Sequence, residues 1–457
     1  MLQNYRGIIE LIGNTPILKV DGLDTGPCEL YLKLENQNPG GSIKDRIGLA
    51  MIRAAEREKK LGGEQRHLVE ATAGNTGLGL ALVAAQRGYT LTLVIPDKMS
   101  QEKIFHLRAL GAEVVMTRSD VEKGHPAYYQ DLAQEIARRE GAFYVDQFSN
   151  PANPFAHETG TGPEIAKQLG GRLHAMVCGV GSGGTLTGLS RYFAKAISSC
   201  EMVLADPEGS VLKGVVETGR IGRAGTWLVE GIGEDFVPPN CDLSRVKRAY
   251  AIPDRESFET ARDLLRTCGV LAGSSTGTLL AAALRYCREQ TSPRRVCTLV
   301  CDSGNKYLSK MFNDFWMQDQ GLTERAPTGD LRDLVSRRHA EGSVQTVAPG
   351  DPLLVAYGRM KLHDVSQLPV LEGGKVVGIV DEGDLLLAAV EGGQGAFRRE
   401  VREVMSARLH TVPITAAPRD LLPLFAQGMV PIVVDGDEFV GLVTRIDLLQ
   451  HLRQRVP

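Results

Sequence analysis

Lys44 stands in the run NPGGSIKDR, Asn38 to Arg46, directly after a Pro-Gly-Gly turn and at the head of an expected helix, Asp45 to Leu61. A cation at that position opposes the positive end of the helix dipole, and burial adds to the effect, so the neutral amine is favoured. A neutral lysine suits Schiff-base or general-base chemistry; an exposed surface lysine is the alternative reading. A second run, EATAGNTGLG from Glu70 to Gly79, places small residues and hydroxyls ahead of another helix. Such a start offers N–H groups to a carboxylate or phosphate, although a plain capped turn has the same composition. The third run, GVGSGGT from Gly179 to Thr185, spells GxGxxG through Gly179, Gly181 and Gly184, and Asp206 follows 22 residues after Gly184. That spacing satisfies the dinucleotide fingerprint with its ribose carboxylate. The same loop also suits a single phosphate held by backbone N–H groups.

These runs must be held by strands and helices, and the alternation is legible. Leu91 to Pro96 reads as a buried strand, Ser100 to Leu110 as a helix capped by Ser100 and closed by Gly111, and Ala112 to Thr117 as the next strand. The pattern recurs in the strand Ala175 to Cys178, the helix Thr185 to Ile197 and the strand Met202 to Ala205. It returns in the strand Val296 to Cys301 and a helix from about Asn305 to Met317. The expected class is α/β, with doubly wound open sheets in two lobes separated by a crevice. Residues 1–317 form this core, and the polar stretch 318–330 reads as a linker. From 331 to 457 the grammar becomes a repeat with a period of about sixty residues, PVLEGGKVVGIVDEGDLL from Pro369 and PIVVDGDEFVGLVTRIDLL from Pro431. Its copies span about 331–392 and 398–457 and form an α+β module.

Composition narrows the classes. The chain has 457 residues, 43% apolar and 23% charged, and a net charge of −3. It is an ordinary globular protein of several domains with no basic field for nucleic acid. Glycine is enriched at 51 residues, which fits backbone approaching ligand. The eight cysteines lack CxxC or other metal-type spacing, so reduced thiols and no metal site are expected. No long apolar run marks a signal peptide or membrane span, and a cytoplasmic location is expected.

A dehydrogenase has no use for the lysine motif or the second anion loop, whereas an enzyme of pyridoxal phosphate (PLP) needs a lysine, a phosphate cup and a carboxylate site. NPGGSIKDR, ATAGNTG, GVGSGGT and LAGSSTG (Leu271 to Gly277), in that order, resemble the motifs of the fold-type II PLP enzymes, specifically the cysteine synthase and cystathionine β-synthase family. The resemblance covers about Asn4 to Met317 and implies a role for each motif. Lys44 holds PLP covalently and then takes the substrate's α-proton. Asn75 contacts the cofactor's 3′-oxygen, Gly181, Ser182, Gly183, Gly184 and Thr185 bind its phosphate, and Ser275 faces the pyridine nitrogen. Thr72, Ala73, Gly74, Asn75, Thr76 and Gln147 receive the substrate carboxylate. Ala73 departs from the serine usual in the family, which leaves the leaving group and nucleophile open. Asp302 reads equally as a cofactor residue or as a cap for the next helix.

DPEGS (Asp206 to Ser210), VEGIGEDF and DSGNKYLSKMFNDFWM are more similar to the cystathionine β-synthase branch. The implied activity is condensation of L-serine with L-homocysteine, expelling water, with hydrogen sulfide release when cysteine replaces serine. A cysteine synthase using O-acetylserine and sulfide is the alternative. The C-terminal copies resemble paired CBS repeats, a regulatory module that often binds an adenosyl ligand. Thr444 and Asp447 match that family's ribose-contacting pair, while the first copy has Asp381 before Asp384. A cationic ligand such as S-adenosylmethionine at the second repeat is therefore expected over ATP. Animal relatives carry a haem segment ahead of the core; here the core motifs start near Met1, so no haem is expected. The family also implies a homodimer or larger homo-oligomer.

Overall fold

The computed structural model describes residues 5–454 except 73, 98–100, 122–123, 324–327, 336–338 and 340–343. Two compact units result, the first ending at Phe312 and the second beginning at Asn313.

The first unit holds two sheets. Strands β1 (Ile17–Lys19), β2 (Glu29–Leu34), β3 (His67–Ala71), β4 (Thr90–Pro96), β5 (Glu113–Thr117), β6 (Phe143–Tyr144), β7 (Ala175–Cys178), β8 (Glu201–Pro207), β9 (Val246–Ile252) and β10 (Arg295–Val300) run in chain order. The larger sheet has the order β1-β2-β10-β7-β8-β9, parallel but for β1, and the smaller is β5-β4-β3-β6, all parallel. After one edge residue, β4, β8 and β10 are buried throughout, as expected for parallel strands with both faces covered by helices. Their apolar runs made them legible in sequence.

Two helices join the sheets to the site. Helix α1 (Lys44–Arg57) and helix α2 (Asn75–Arg87) cross where glycine is obligatory. A Cβ on Gly48 would lie 2.8 Å from the Gly79 carbonyl carbon, and one on Gly79 would lie 2.7 Å from the Lys44 carbonyl oxygen. This contact sets the start of α1 against the first turn of α2. Their inner faces share a core in which Ile47, Met51, Ile52, Leu78, Leu80 and Val83 pack against Leu68, Leu91 and Leu93. A buried ionic cluster anchors α1 from the other side. Arg46 donates from Nε to Glu35 Oε2 at 2.6 Å and from Nη2 to Glu35 Oε1 at 2.8 Å, and its Nη1 reaches Glu164 Oε1 at 2.8 Å. The bidentate geometry fixes α1 in rotation as well as in position.

The expected helix from Asn305 to Met317 is not continuous. A 3-10 turn, Gly304–Lys306, is followed by a separate helix, Asp314–Asp319. Tyr307 is buried and bonded to Asp302 Oδ2 at 2.8 Å, and Lys306 Nζ donates to Asn75 Oδ1 at 2.8 Å. These tertiary bonds hold the segment in place of a helical turn, and Asn313 caps the later helix.

In the second unit the first copy forms β11 (Gln367–Glu372) and β12 (Lys375–Asp381), then a helix, Glu382–Gly392. The other has β13 (Thr411–Pro413), β14 (Ile432–Asp435) and β15 (Glu438–Leu442), then the helix Arg445–Gln454. Core membership does not follow chain order. Leu331, Leu334 and Val335 pack with Val412, Leu421 and Val433 of the second copy, whereas Val347 and Val401 pack with the first. Among the described residues, no helix is long and apolar enough to cross a membrane, and all eight cysteines are free.

Candidate active site

Lys44 is the first residue of α1, held by a turn that is stitched to the end of β10. The Ile43 N–H donates to the Cys301 carbonyl at 2.8 Å, and the Ser303 N–H donates to the Gly41 carbonyl at 3.0 Å. Gly41 has φ +74, a left-handed turn that suits glycine. Lys44 is half-buried, and desolvation lowers its amine pKa against the opposing pull of Cys301, Asp302 and Glu234.

The loop Thr72–Thr76 reaches the same place from the smaller sheet. Gly74, with φ +126, is the residue before α2 and carries no side-chain cap. The Thr76 hydroxyl donates to Gln147 Oε1 at 2.6 Å, and Gln147 Nε2 donates to the Ala71 carbonyl at 3.0 Å. Buried Glu70 receives the Gln147 N–H at 3.3 Å, and burial raises its carboxyl pKa well above the usual range. Gln147 is thereby fixed in orientation. Ala73 lies outside the described residues.

Asn75 links this loop to the larger sheet. Its Nδ2 donates to Asp302 Oδ2 at 2.8 Å, and its Oδ1 accepts from Lys306. An amide nitrogen carries two protons, so one remains for a ligand. Asp302 thus bridges Asn75 and Tyr307, and the cap of the 3-10 turn comes instead from Ser303, whose side chain accepts the Asn305 N–H. Lys306, Tyr307 and this role of Asp302 escaped the sequence reading because nothing in GNKY has a periodicity or spacing that points inward.

The loop Gly179–Thr185 is walled by a second glycine run. A Cβ on Gly181 would lie 2.5 Å from the Gly231 carbonyl oxygen, and the Gly233 N–H donates to the Val180 carbonyl at 2.8 Å. Gly183, φ +83, starts the helix Gly184–Ala196 without a side-chain cap, and Ser182 is buried beside it. Asp206 is 1% exposed, and its Oδ2 accepts the Lys213 N–H at 2.8 Å. Burial pushes its carboxyl to about 6. It closes the start of the next helix, which removes the ribose ligand that a dinucleotide site requires.

Ser275 is buried in the first turn of the helix Ser274–Arg288, which also starts without a side-chain cap, at Gly273. A Cβ on Gly273 would lie 1.9 Å from Asp302 Oδ1. Ser275 hydrogen-bonds with Cys301, whose thiol burial raises to about 12, so the pair is neutral. Thr444 and Asp447 lie in the second unit. Asp447 Oδ2 accepts both the N–H and the hydroxyl of Thr444, each at 2.6 Å.

The geometry fits pyridoxal phosphate. A lysine biased toward neutrality, a glycine-rich helix start with a buried hydroxyl, a free amide proton on Asn75 and an uncharged serine are what its aldehyde, phosphate, 3′-oxygen and ring nitrogen require.

The chain matches the pyridoxal-phosphate dependent enzyme family over residues 8–302 and the CBS domain over 331–391 and 401–454. It is 33% identical to a cystathionine beta-synthase of Dictyostelium discoideum over 97% of this chain and 92% of that one. The crystal structure of an O-acetylserine dependent cystathionine beta-synthase from Helicobacter pylori superposes with a TM-score of 0.63 at 35% identity, covering 68% of this chain and 99% of that one. A hydrogen sulfide-producing enzyme from Fusobacterium nucleatum gives 0.61 at 35%, covering 67% and 100%. With the lysine, the glycine loops and the C-terminal repeats all in the matched segments, this chain belongs to the cystathionine beta-synthase family of pyridoxal-phosphate dependent enzymes.

Proposed function

We propose that the chain condenses L-serine with L-homocysteine to L-cystathionine and water, and releases hydrogen sulfide when cysteine takes the place of serine. The observation that carries this reading is the Lys44 amine, lowered in pKa at the head of α1, together with three helix starts that carry no side-chain cap. Bound there, pyridoxal phosphate supplies an electron sink that acidifies the substrate's α-C–H and eases departure of its β-substituent. Lys44 would hold the cofactor, and its amine would accept the proton from the substrate's Cα. Gly181, Ser182, Gly183, Gly184 and Thr185 hold the phosphate, Asn75 the 3′-oxygen and Ser275 the ring nitrogen. Because Ser275 is a hydroxyl, it does not enforce protonation of that nitrogen as a carboxylate would, which suits β-replacement. The substrate carboxylate rests on Thr72, Ala73, Gly74, Asn75 and Thr76, with Gln147 fixing the hydroxyl of Thr76.

O-acetylserine as first substrate is the second reading. Ala73 in place of the family's serine leaves the leaving group open, and the Helicobacter relative's description names that substrate. Product analysis separates the two. Serine plus homocysteine should give cystathionine; turnover only with O-acetylserine plus sulfide would replace the reading with a cysteine synthase.

The reading extends to a cytoplasmic homo-oligomer, with a catalytic part in 1–317, a linker at 318–330 and a regulatory part in 331–457. In the regulatory part, Thr444 and Asp447 are proposed to hold the ribose of a cationic adenosyl ligand. Calorimetry should show S-adenosylmethionine bound more tightly than ATP and weakened by Asp447→Ala; no heat with either would remove the ligand.

A further inference from the structure

One helical face stands behind both hydroxyls of the phosphate loop. The helix Ala152–Ala156 passes into a single π turn, His157–Thr161, a local widening often found at functional sites. Asn153 and His157, four residues apart, share a face of it, and each is 1% exposed. The helix Gly184–Ala196 lies against them at glycine distance. A Cβ on Gly184 would be 1.8 Å from Asn153 Oδ1, and one on Gly188 would be 2.2 Å from the Pro154 carbonyl oxygen.

The donor directions are constrained. Asn153 Nδ2 donates to the Gln147 carbonyl at 2.8 Å, an acceptor only, which fixes the amide's orientation. Its second proton then goes to Ser182 Oγ at 2.9 Å. Ser182 therefore accepts from Asn153, and its own proton is free to point elsewhere. His157 repeats the arrangement, with Nδ1 2.9 Å from Thr161 Oγ1 and Nε2 3.2 Å from Thr185 Oγ1. Burial, then the charges of Arg46 and Lys44, push its pKa well below the ordinary value, so the ring is neutral and carries one proton. With that proton on Nε2, Thr161 donates to Nδ1, Thr185 accepts from Nε2–H, and the Thr185 hydroxyl proton is free. The opposite tautomer would turn the Thr185 proton toward the ring and its lone pairs outward, against an anion.

We propose that Asn153 and His157 are positioning residues that orient the Ser182 and Thr185 hydroxyl protons toward the phosphate of the cofactor, with His157 held as the Nε2–H tautomer. This rests on the cofactor reading above and adds a specific claim about recognition of the phosphate end. Two measurements test it. Two-bond 1H–15N correlation of the histidine-labelled holoenzyme should find His157 Nε2 protonated and Nδ1 bare; the reverse overturns the proposal without any substitution that could unfold the chain. Equilibrium dialysis of apoprotein then compares pyridoxal phosphate with pyridoxal. His157→Leu should weaken pyridoxal phosphate about tenfold to a hundredfold, the range for a lost hydrogen bond to a charged group, and leave pyridoxal unchanged. His157→Gln, which keeps a donor, should recover most of the loss. Equal weakening of both ligands, or none, overturns the proposal. Wild-type apoprotein that binds neither ligand overturns the cofactor reading instead.

Discussion

The helices that carry the candidate site residues begin differently from two helices of the C-terminal repeats. In the first unit, α1, α2, Gly184–Ala196 and Ser274–Arg288 start after Ile43, Gly74, Gly183 and Gly273, none of which caps through its side chain. In the second, Glu382–Gly392 opens on a reciprocal capping box between Asp381 and Asp384, and Arg445–Gln454 follows a Thr444 whose N–H and hydroxyl are both taken by Asp447. The same unsatisfied N–H groups exist at every helix start. The capping box at Asp381 answers one of them within the chain, which stabilises that helix. The starts after Gly74, Gly183 and Gly273 carry no side-chain cap, which suits an anionic ligand, and close backbone contacts require glycine at Gly48, Gly79 and Gly181. At these particular starts, scaffold and site differ in what answers the N–H groups.

The contrast can be broken in order of size. Lys44→Ala should lower turnover at least about 10³-fold, as loss of a positioned base does, measured by cystathionine formation. Asp45, the acid in the first turn of α1, is buried; its Oδ2 accepts the Gly40 N–H at 2.5 Å, and burial raises its carboxyl to about 7. Its folded pKa exceeds its unfolded one, so its contribution is complete below about pH 4 and is lost as pH rises through 7, up to about 4 kcal/mol. Urea titrations should show this slope in the wild type and a flatter one in Asp45→Asn. Gly181→Ala forces a Cβ against the Gly231 carbonyl. It should cost about 1–3 kcal/mol of stability and weaken cofactor binding, read by denaturation and dialysis. Asp381→Ala, which removes only a cap, should cost about 1 kcal/mol with turnover unchanged. Equal effects of Gly181→Ala and Asp381→Ala on cofactor binding would erase the distinction.

Much of the fold is legible in the sequence. The buried runs of β4, β8 and β10 fixed the α/β alternation because parallel strands covered on both faces leave an unbroken apolar signature. The glycine loops were readable because residue type itself reports close backbone approach, as at Gly181 and Gly273. What stayed hidden was tertiary. Nothing in HETGTGPEI says that His157 meets Thr185 across 28 residues, and a helical pattern after Asn305 could not reveal that Lys306 and Tyr307 are bonded to Asn75 and Asp302. The placement of Leu331 and Val335 in the second copy's core is likewise invisible to a repeat read in chain order.

The central claim is that Lys44 holds the cofactor. Lys306 is the natural rival, since it is buried, has a lowered pKa and donates to Asn75. Borohydride reduction of the holoenzyme, followed by proteolysis and mass spectrometry, fixes the cofactor to whichever lysine carries it. The account predicts a pyridoxyl group on the Lys44 peptide alone; the modification on Lys306 or any other lysine, with Lys44 unmodified, would contradict it.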